Sequence, residues 1–325
     1  MSANQPAANK TTRSKFVAFA WAFVGYLILV ILFGAWVRIT HSGAGCGDHW
    51  PTCHGEVIPF EPSTETIIEY THRLTSGFLG ILGLALVGWA GVRYGTKHRV
   101  FWASVVTLLF IIFEALIGAG IVLAELVADD DSVARAVVIA IHLVNTLTLA
   151  GAASLTAWWA GGHKPPRLAT KGALKWLLGL GLLGLIVTSM TGAVTALGDT
   201  LFPVDPTLGQ GLFDRVRDDL SPANHFLVRL RIFHPVIAVL VSIFIVAVTT
   251  IISTAEVSKL AKRAAAFLLI SICVQVAAGM INIYLAAPGW MQLIHLLLAQ
   301  IVWIAMLITA NEVLQPSEPA PTRTT

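Results

Sequence analysis

Four histidines lie inside long apolar runs: His72, His142, His234 and His295. Each comes about six to eight residues into its run, roughly 9–12 Å along a helix that rises 1.5 Å per residue. An imidazole surrounded by hydrocarbon is costly and usually functional, although a neighbouring Ser, Thr or carbonyl can also satisfy it. Two helix-borne imidazoles facing each other across a bundle suit the two axial positions of a haem iron. Zinc would call for a third or fourth Cys, His or carboxylate ligand close by. Three residues before His72 stands Glu69, but the equivalent place before His234 holds Arg231. Bis-imidazole ligation of haem is therefore the better fit for both pairs, with His72, His142, His234 and His295 as iron ligands. The other six histidines fall at the ends of runs or in loops: His41, His49, His54 and His225 on one side, His98 and His163 on the other.

A spacing of three places Glu69 and Arg231 on the histidine-bearing faces of their helices. A guanidinium there suits a haem propionate, bidentately, and Arg229 is a second donor for the same role. A carboxylate at a haem edge suits proton transfer or the stabilisation of developing positive charge, although Glu69 could instead simply pair with Arg73 one turn on. On this reading the second half of the chain holds a permanent haem cofactor and the first half a haem substrate. Glu114 is a further acid within a run; its counterpart in the other half is the neutral Gln275, so a hydrogen-bonding role is expected there. Cys46 and Cys53 share one loop, where they are either a staple or a redox pair reset by a thiol–disulfide partner. Cys273, inside a run, reads as a small buried hydrophobe.

The elements that must carry these residues follow from composition. Of 325 residues 56% are hydrophobic and only 12% charged, with a mean hydropathy of +0.77, against about 25% charged in an ordinary soluble domain. That excludes a soluble globular enzyme, a disordered chain and a nucleic-acid binder. Eight runs are long enough to cross about 30 Å of hydrocarbon as helices: residues 16–38, 66–92, 100–123, 134–160, 174–197, 226–252, 264–286 and 289–311. With the N-terminus inside, the inner segments hold Lys10, Arg13, Lys15, Arg93, Lys97, Arg99, Lys164, Arg167, Lys171, Lys175, Lys259, Lys262, Arg263 and Arg323, fourteen of the 21 basic residues. This meets the positive-inside rule and puts both termini in the cytoplasm and the four histidines toward the extracytoplasmic face. The first run lacks a small-residue cleavage site and reads as retained. The short polar start, without an Arg/Ser-rich presequence, favours a prokaryotic plasma membrane over a mitochondrion.

Three short matches recur in order: Gly34-Ala35-Trp36-Val37 with Gly192-Ala193-Val194-Thr195, Glu114 to Gly118 with Gln275 to Gly279, and Ile141-His142-Leu143 with Ile294-His295-Leu296. They predict an all-α polytopic protein of two pseudo-symmetric four-helix bundles in parallel repeat. The expected organisation is a cytoplasmic segment 1–15, a substrate-haem half 16–160, a linker 161–173, a haem b half 174–313 and a disordered tail 314–325.

The stretch Gly34-Ala-Trp-Val-Arg38, then Ser42-Gly-Ala-Gly-Cys46-Gly-Asp-His-Trp50-Pro-Thr-Cys53-His-Gly55, then Ile67-Ile-Glu69-Tyr-Thr-His72-Arg73 resembles the haem A synthase family. The likeness continues through His142, His234 and His295. It implies an oxidoreductase that turns the C8 methyl of haem O into the formyl group of haem A for terminal oxidases. Water would supply the oxygen, through alcohol and geminal-diol stages. Carried over, His72 and His142 flank the substrate haem, His234 and His295 ligate a low-spin haem b, Glu69 is the catalytic carboxylate, and Cys46 and Cys53 are the first-loop pair of one subgroup. The second cysteine pair of some members is missing, and Glu114 replaces an expected Gln. Implied partners are the farnesyltransferase that makes haem O, a terminal oxidase or its assembly factors, and the lipid bilayer. Two other readings of the residues are a di-haem b-type electron-transfer cytochrome and a haem export or delivery protein.

Overall fold

Helix starts in this chain are set by side chains that accept from otherwise unpaired first-turn amides. Ser63 accepts from the Thr66 amide at 3.2 Å, Ser132 from Arg135 at 3.2 Å and Ser258 from Ala261 at 3.0 Å. The imidazole Nδ1 of His98 does the same for the Val100 amide. The computed structural model describes residues 7–167, 172–204 and 212–315. Along them run α1 (Ala7–Ile39), α2 (Thr64–Tyr94), α3 (Arg99–Leu123), α4 (Val133–Ala160), α5 (Gly172–Leu201), α6 (Leu212–Asp219), α7 (Phe226–Leu230), α8 (Phe233–Thr254), α9 (Lys259–Tyr284) and α10 (Gly289–Val313). No strand occurs among the described residues, and eight helical spans are long and apolar enough to cross a membrane.

The expected boundaries move in four places. Helix α1 begins at Ala7, inside the segment 1–15 expected to be polar and cytoplasmic. Helix α5 continues to Leu201, and α9 starts at Lys259, where Ser258 caps it. The sixth run is interrupted between α7 and α8, at Arg231 and Ile232. Pro235 explains the break, because it has no amide to offer the Arg231 carbonyl four residues back and its ring crowds that carbonyl. The proposed tail from residue 316 and linker residues 168–171 lie outside the described residues.

Two large apolar clusters, with a small third one of Ala136, Leu197 and Leu227, hold the helices together. One gathers Phe16, Phe23 and Leu27 of α1, Leu79 and Leu86 of α2 and Leu147 and Leu149 of α4; the other gathers Leu178 of α5, Ile245 and Ile252 of α8, Leu268 of α9 and Met306 of α10. Leu182 and Leu185 of α5 pack against both clusters, and Trp303 of α10 reaches across to donate to the Leu147 carbonyl at 2.6 Å. At the end remote from the histidines, Trp158 donates to Glu312 at 2.8 Å and Trp159 to Asn311 at 3.0 Å, tying α4 to α10. Large apolar side chains such as Leu29, Ile81, Ile243 and Ile270 cover the outside. That surface, intolerable in water, is what a multi-pass membrane protein turns toward lipid. Cys273 belongs to it: it is exposed, not buried, because it shares its side of α9 with exposed Ile270 and Val274.

Candidate functional site

A cavity of about 1970 Å³ runs between the two clusters, and His72, His142, His234 and His295 all line it. Glycine makes room for three of the rings. A Cβ at Gly34 would lie 3.1 Å from His72 Cε1, one at Gly192 2.9 Å from His234 Cε1, and one at Gly279 3.1 Å from His295 Cε1. Backbone therefore packs directly on imidazole. Phe33 meets the His72 ring edge-on at 5.6 Å.

Each ring keeps a nitrogen in reserve. His234 engages the Thr188 carbonyl and Thr191 hydroxyl through Nδ1, at 3.1 and 3.3 Å, which fixes the ring and leaves Nε2. Nδ1 of His72, His142 and His295 is buried without a partner. The Nε2 atoms of His142 and His295 are met by Glu114 and Gln275 respectively, each at 3.2 Å. Glu114 also accepts from Asn145 and Thr146, so the hydrogen-bonding role expected of it is what its surroundings provide.

The rings of His234 and His295 stand 6.4 Å apart, at 87° to each other. Nitrogens about 2 Å from a shared metal, in rings whose centres lie about 1 Å further out, put those centres about 6 Å apart. The separation of the two rings is thus the one a shared metal would need. Among the described residues no three His, Cys, Asp or Glu side chains gather to hold a bare ion. A pair of imidazoles without further protein ligands is compatible with a metal that brings its own macrocycle.

At the end nearer the histidines the cavity is roofed by the loop after α1. Cys46 and Cys53 form a disulfide in this loop, and both are buried. Trp50, Pro51 and Thr52 between them line the cavity. Glu69 is buried; one oxygen accepts from the Cys46 amide at 2.8 Å and the other from Arg73 Nε at 3.1 Å. Arg73 also donates to the carbonyls of His49 and Thr52, at 2.7 and 2.6 Å. The pairing with Arg73 left open in the sequence is thus present, and Glu69 borders the cavity as well.

Beside the second pair of histidines, Arg231 lines the cavity and contacts Asp199 at 3.4 Å and Asp219 at 3.2 Å. Arg229 is exposed and outside the lining. Sequence reasoning missed both aspartates, which approach Arg231 only because the last turn of α5 and the end of α6 fold over the α7–α8 break. It also missed Arg38 and Arg135. Arg38, at the end of α1, donates to the Ala196 carbonyl and Thr200 hydroxyl of α5 and, at 2.9 Å, to Gln292 of α10. Arg135 is buried and donates to the Ala128 and Asp130 carbonyls. Both line the cavity, and the place of Arg38 four residues after Gly34 was the one available signal.

A protein of Thermus thermophilus called "Protoheme IX farnesyltransferase" is 46% identical over 302 residues, covering 93% of this chain but 49% of its own length. The chain thus spans about half of that relative. A "Heme A synthase" of Halalkalibacterium halodurans is 33% identical over 68% of this chain and 70% of its own length. Another, from Alkalihalophilus pseudofirmus, is 45% identical over 96 residues, 30% of this chain and 32% of its own. The model of the COX15-CtaA family, described as cytochrome oxidase assembly protein, matches residues 17–307, and to that family this chain belongs.

Proposed function

We propose that this protein is a haem A synthase, an oxidoreductase that converts the C8 methyl of haem O to the formyl group of haem A. The observation that carries the reading is the single cavity on which four histidines and the buried Glu69 converge. The two relatives named Heme A synthase support it. His72 and His142 would flank the substrate, His234 and His295 would ligate the iron of haem b, and Arg231, joined by Arg38, would receive propionates. Arg229, two residues before Arg231 but outside the lining, would be a second donor for the same role.

Haem b, when bound, supplies one-electron redox chemistry. In becoming a formyl group the substrate's methyl takes one oxygen from water and releases four protons and four electrons. Glu69 is placed to accept protons at the cavity edge, held in position by the Cys46 amide and Arg73. The apolar walls exclude bulk water, so the water that reacts enters at the polar outer end. The Cys46–Cys53 disulfide, one hydrogen bond from Glu69, would take up two electrons and two protons as a dithiol at each of the two oxidation stages, methyl to alcohol and alcohol to aldehyde, with an oxidised thiol–disulfide partner accepting them and restoring the disulfide after each stage.

The protein would lie in a prokaryotic plasma membrane with both termini cytoplasmic and the histidines toward the outside, as the distribution of basic residues indicates. The farnesyltransferase name of the Thermus relative, in which the matched segment is half of a longer chain, supports a partnership with the enzyme that makes haem O. The family description supports delivery toward a terminal oxidase. The test is reconstitution with haem O, followed by pigment extraction and chromatography of haems B, O and A. Haem A should accumulate, and Glu69→Gln should abolish it while haem B stays bound. Recovery of haem O unchanged, in protein that retains haem B, would leave an electron-transfer cytochrome as the better account.

A further inference from the structure

The two halves of the cavity differ on their lipid-facing side. Five and eight residues after His72 stand Gly77 and Gly80; the same steps from His234 reach Val239 and Ser242. One residue after Glu114 is Ala115, and one after Gln275 is Val276. All six line the cavity. A Cβ at Gly77 or Gly80 would meet nothing within 4 Å, so no neighbouring side chain has moved in to use the space. On either side of this slot Ile81 and Leu84 of α2 and Ile112 and Leu116 of α3 line the cavity while remaining 62%, 62%, 48% and 56% exposed. The cavity therefore opens sideways between α2 and α3 onto the apolar outer surface. At the inner end of the slot is His72, whose buried Nδ1 has no partner. The second half also reaches the outer surface, at Val239 and Met280, but there the positions of Gly77 and Ala115 carry the larger side chains of Val239 and Val276.

We infer that the slot between α2 and α3 takes the isoprenoid tail of the porphyrin substrate, and that Gly77, Gly80 and Ala115 make the first half selective for a tailed haem. Val239, Ser242 and Val276 narrow the corresponding passage, so the second half takes a haem without a tail. The inference rests on the haem O to haem A reading above and names what sorts the two haems between two similar histidine pairs. A farnesyl chain is wholly apolar; threaded between helices it leaves the porphyrin at the histidines and its own length against protein and lipid, with no polar group to desolvate. Added methyl groups in such a passage collide with the chain and cannot be offset elsewhere.

The test uses the full chain in lipid nanodiscs and two double variants, Gly77→Val/Ala115→Val and Val239→Gly/Val276→Ala. Each is titrated with haem O and with haem B, and the bound pigments are extracted and separated. The first variant should raise the dissociation constant and KM for haem O at least tenfold while binding as much haem B as the wild type. The second should retain haem O in the second half, where the wild type retains haem B only. The inference is overturned if the first variant binds and converts haem O as the wild type does, or loses both haems alike with its thermal midpoint intact. If the first variant does not fold, the second decides alone, and exclusion of haem O from its second half overturns the inference. Failure of the wild type itself to convert haem O would instead remove the functional reading on which this rests.

Discussion

Replacing Arg73 with alanine tests how the outer loop is held over the cavity. Arg73 gives two donors to Glu69 and bonds the His49 and Thr52 carbonyls through Nη1. The two side chains are 12% and 5% exposed, so water screens the pair little. Arg73→Ala leaves a buried carboxylate with the Cys46 amide as its one remaining donor among the described residues, and breaking a buried pair from one side costs about 3–5 kcal/mol. Glu69→Gln keeps an acceptor for that amide and forfeits the charge-assisted part, about 1–2 kcal/mol. Most of the arginine penalty is the orphaned charge, so adding Glu69→Gln to Arg73→Ala should relieve it, giving a coupling of at least about 1.5 kcal/mol. With roughly 2–4 °C per kcal/mol for a protein of this size, Arg73→Ala should lower the apparent Tm by about 10 °C, with the double variant less affected than the sum of the singles. All four proteins are scanned at one heating rate, because unfolding from a membrane is read as a rate. The half-time for reduction of Cys46–Cys53 by a small dithiol should also shorten in Arg73→Ala, since two carbonyls of the loop lose their donor. Additive single effects, or an Arg73→Ala protein within 2 °C of wild type, would refute the argument.

Three other outcomes follow from the cavity wall. Glu114→Gln supplies the residue found at the matching position of the other half and should cost less than about 1 kcal/mol, whereas Glu114→Leu takes one acceptor from each of Asn145 and Thr146, which keep the Phe110 and His142 carbonyls, and should cost about 1–3 kcal/mol in thermal unfolding. Gly192→Val places a Cβ 2.9 Å from His234 Cε1; the ring must turn, and the low-spin haem spectrum should be lost while pigment in the first half persists. Arg38→Met removes the donors that join α1 to α5 and α10 and should lower stability by about 2–4 kcal/mol and shift the absorption bands of both halves; Arg38→Lys should recover less than half, because an ammonium cannot match the planar fork. Unshifted bands in Arg38→Met would mean that apolar packing alone docks the halves.

What could be read from the sequence was whatever depends on neighbours along the chain. The eight spans follow from apolar runs, and the four histidines stand out because a polar group in such a run is rare. The loop cysteines could be paired because few residues separate them. What escaped was set by distant contacts or by one atom. The break before His234 comes from the amide that Pro235 lacks, invisible to hydropathy because both flanks are apolar. Asp199 and Asp219 meet Arg231 only after α5 and α6 fold back, and Arg38 reads as an ordinary outer-loop cation until α5 and α10 lie beside it. Cys273 was assigned the wrong side of α9 because an all-round apolar helix offers no stripe by which to tell core from lipid.

The similarity and the difference between the halves fall in separate places, and this separation bears on how one fold can carry two roles. The rings are set alike: Gly34, Gly192 and Gly279 press backbone against imidazole, and Glu114 and Gln275 each reach an Nε2. Changing these would alter whether a macrocycle is held at all. The differences lie at the rim. Glu69 is closed onto Arg73, one turn on in α2, and onto the Cys46 amide of the disulfide loop, to which Arg73 is also bonded through the His49 carbonyl. Arg231 uses Nε and Nη1 on its two aspartates and nearby carbonyls, leaving Nη2 without a protein partner among the described residues. On the proposed reading, a carboxylate that exchanges protons is tied to a loop that can respond to its own redox state, and a guanidinium that holds an anion is braced by carboxylates with one donor to spare. The rim can therefore diverge without disturbing the rings, as that reading requires of one half that would bind permanently and another that would react and release.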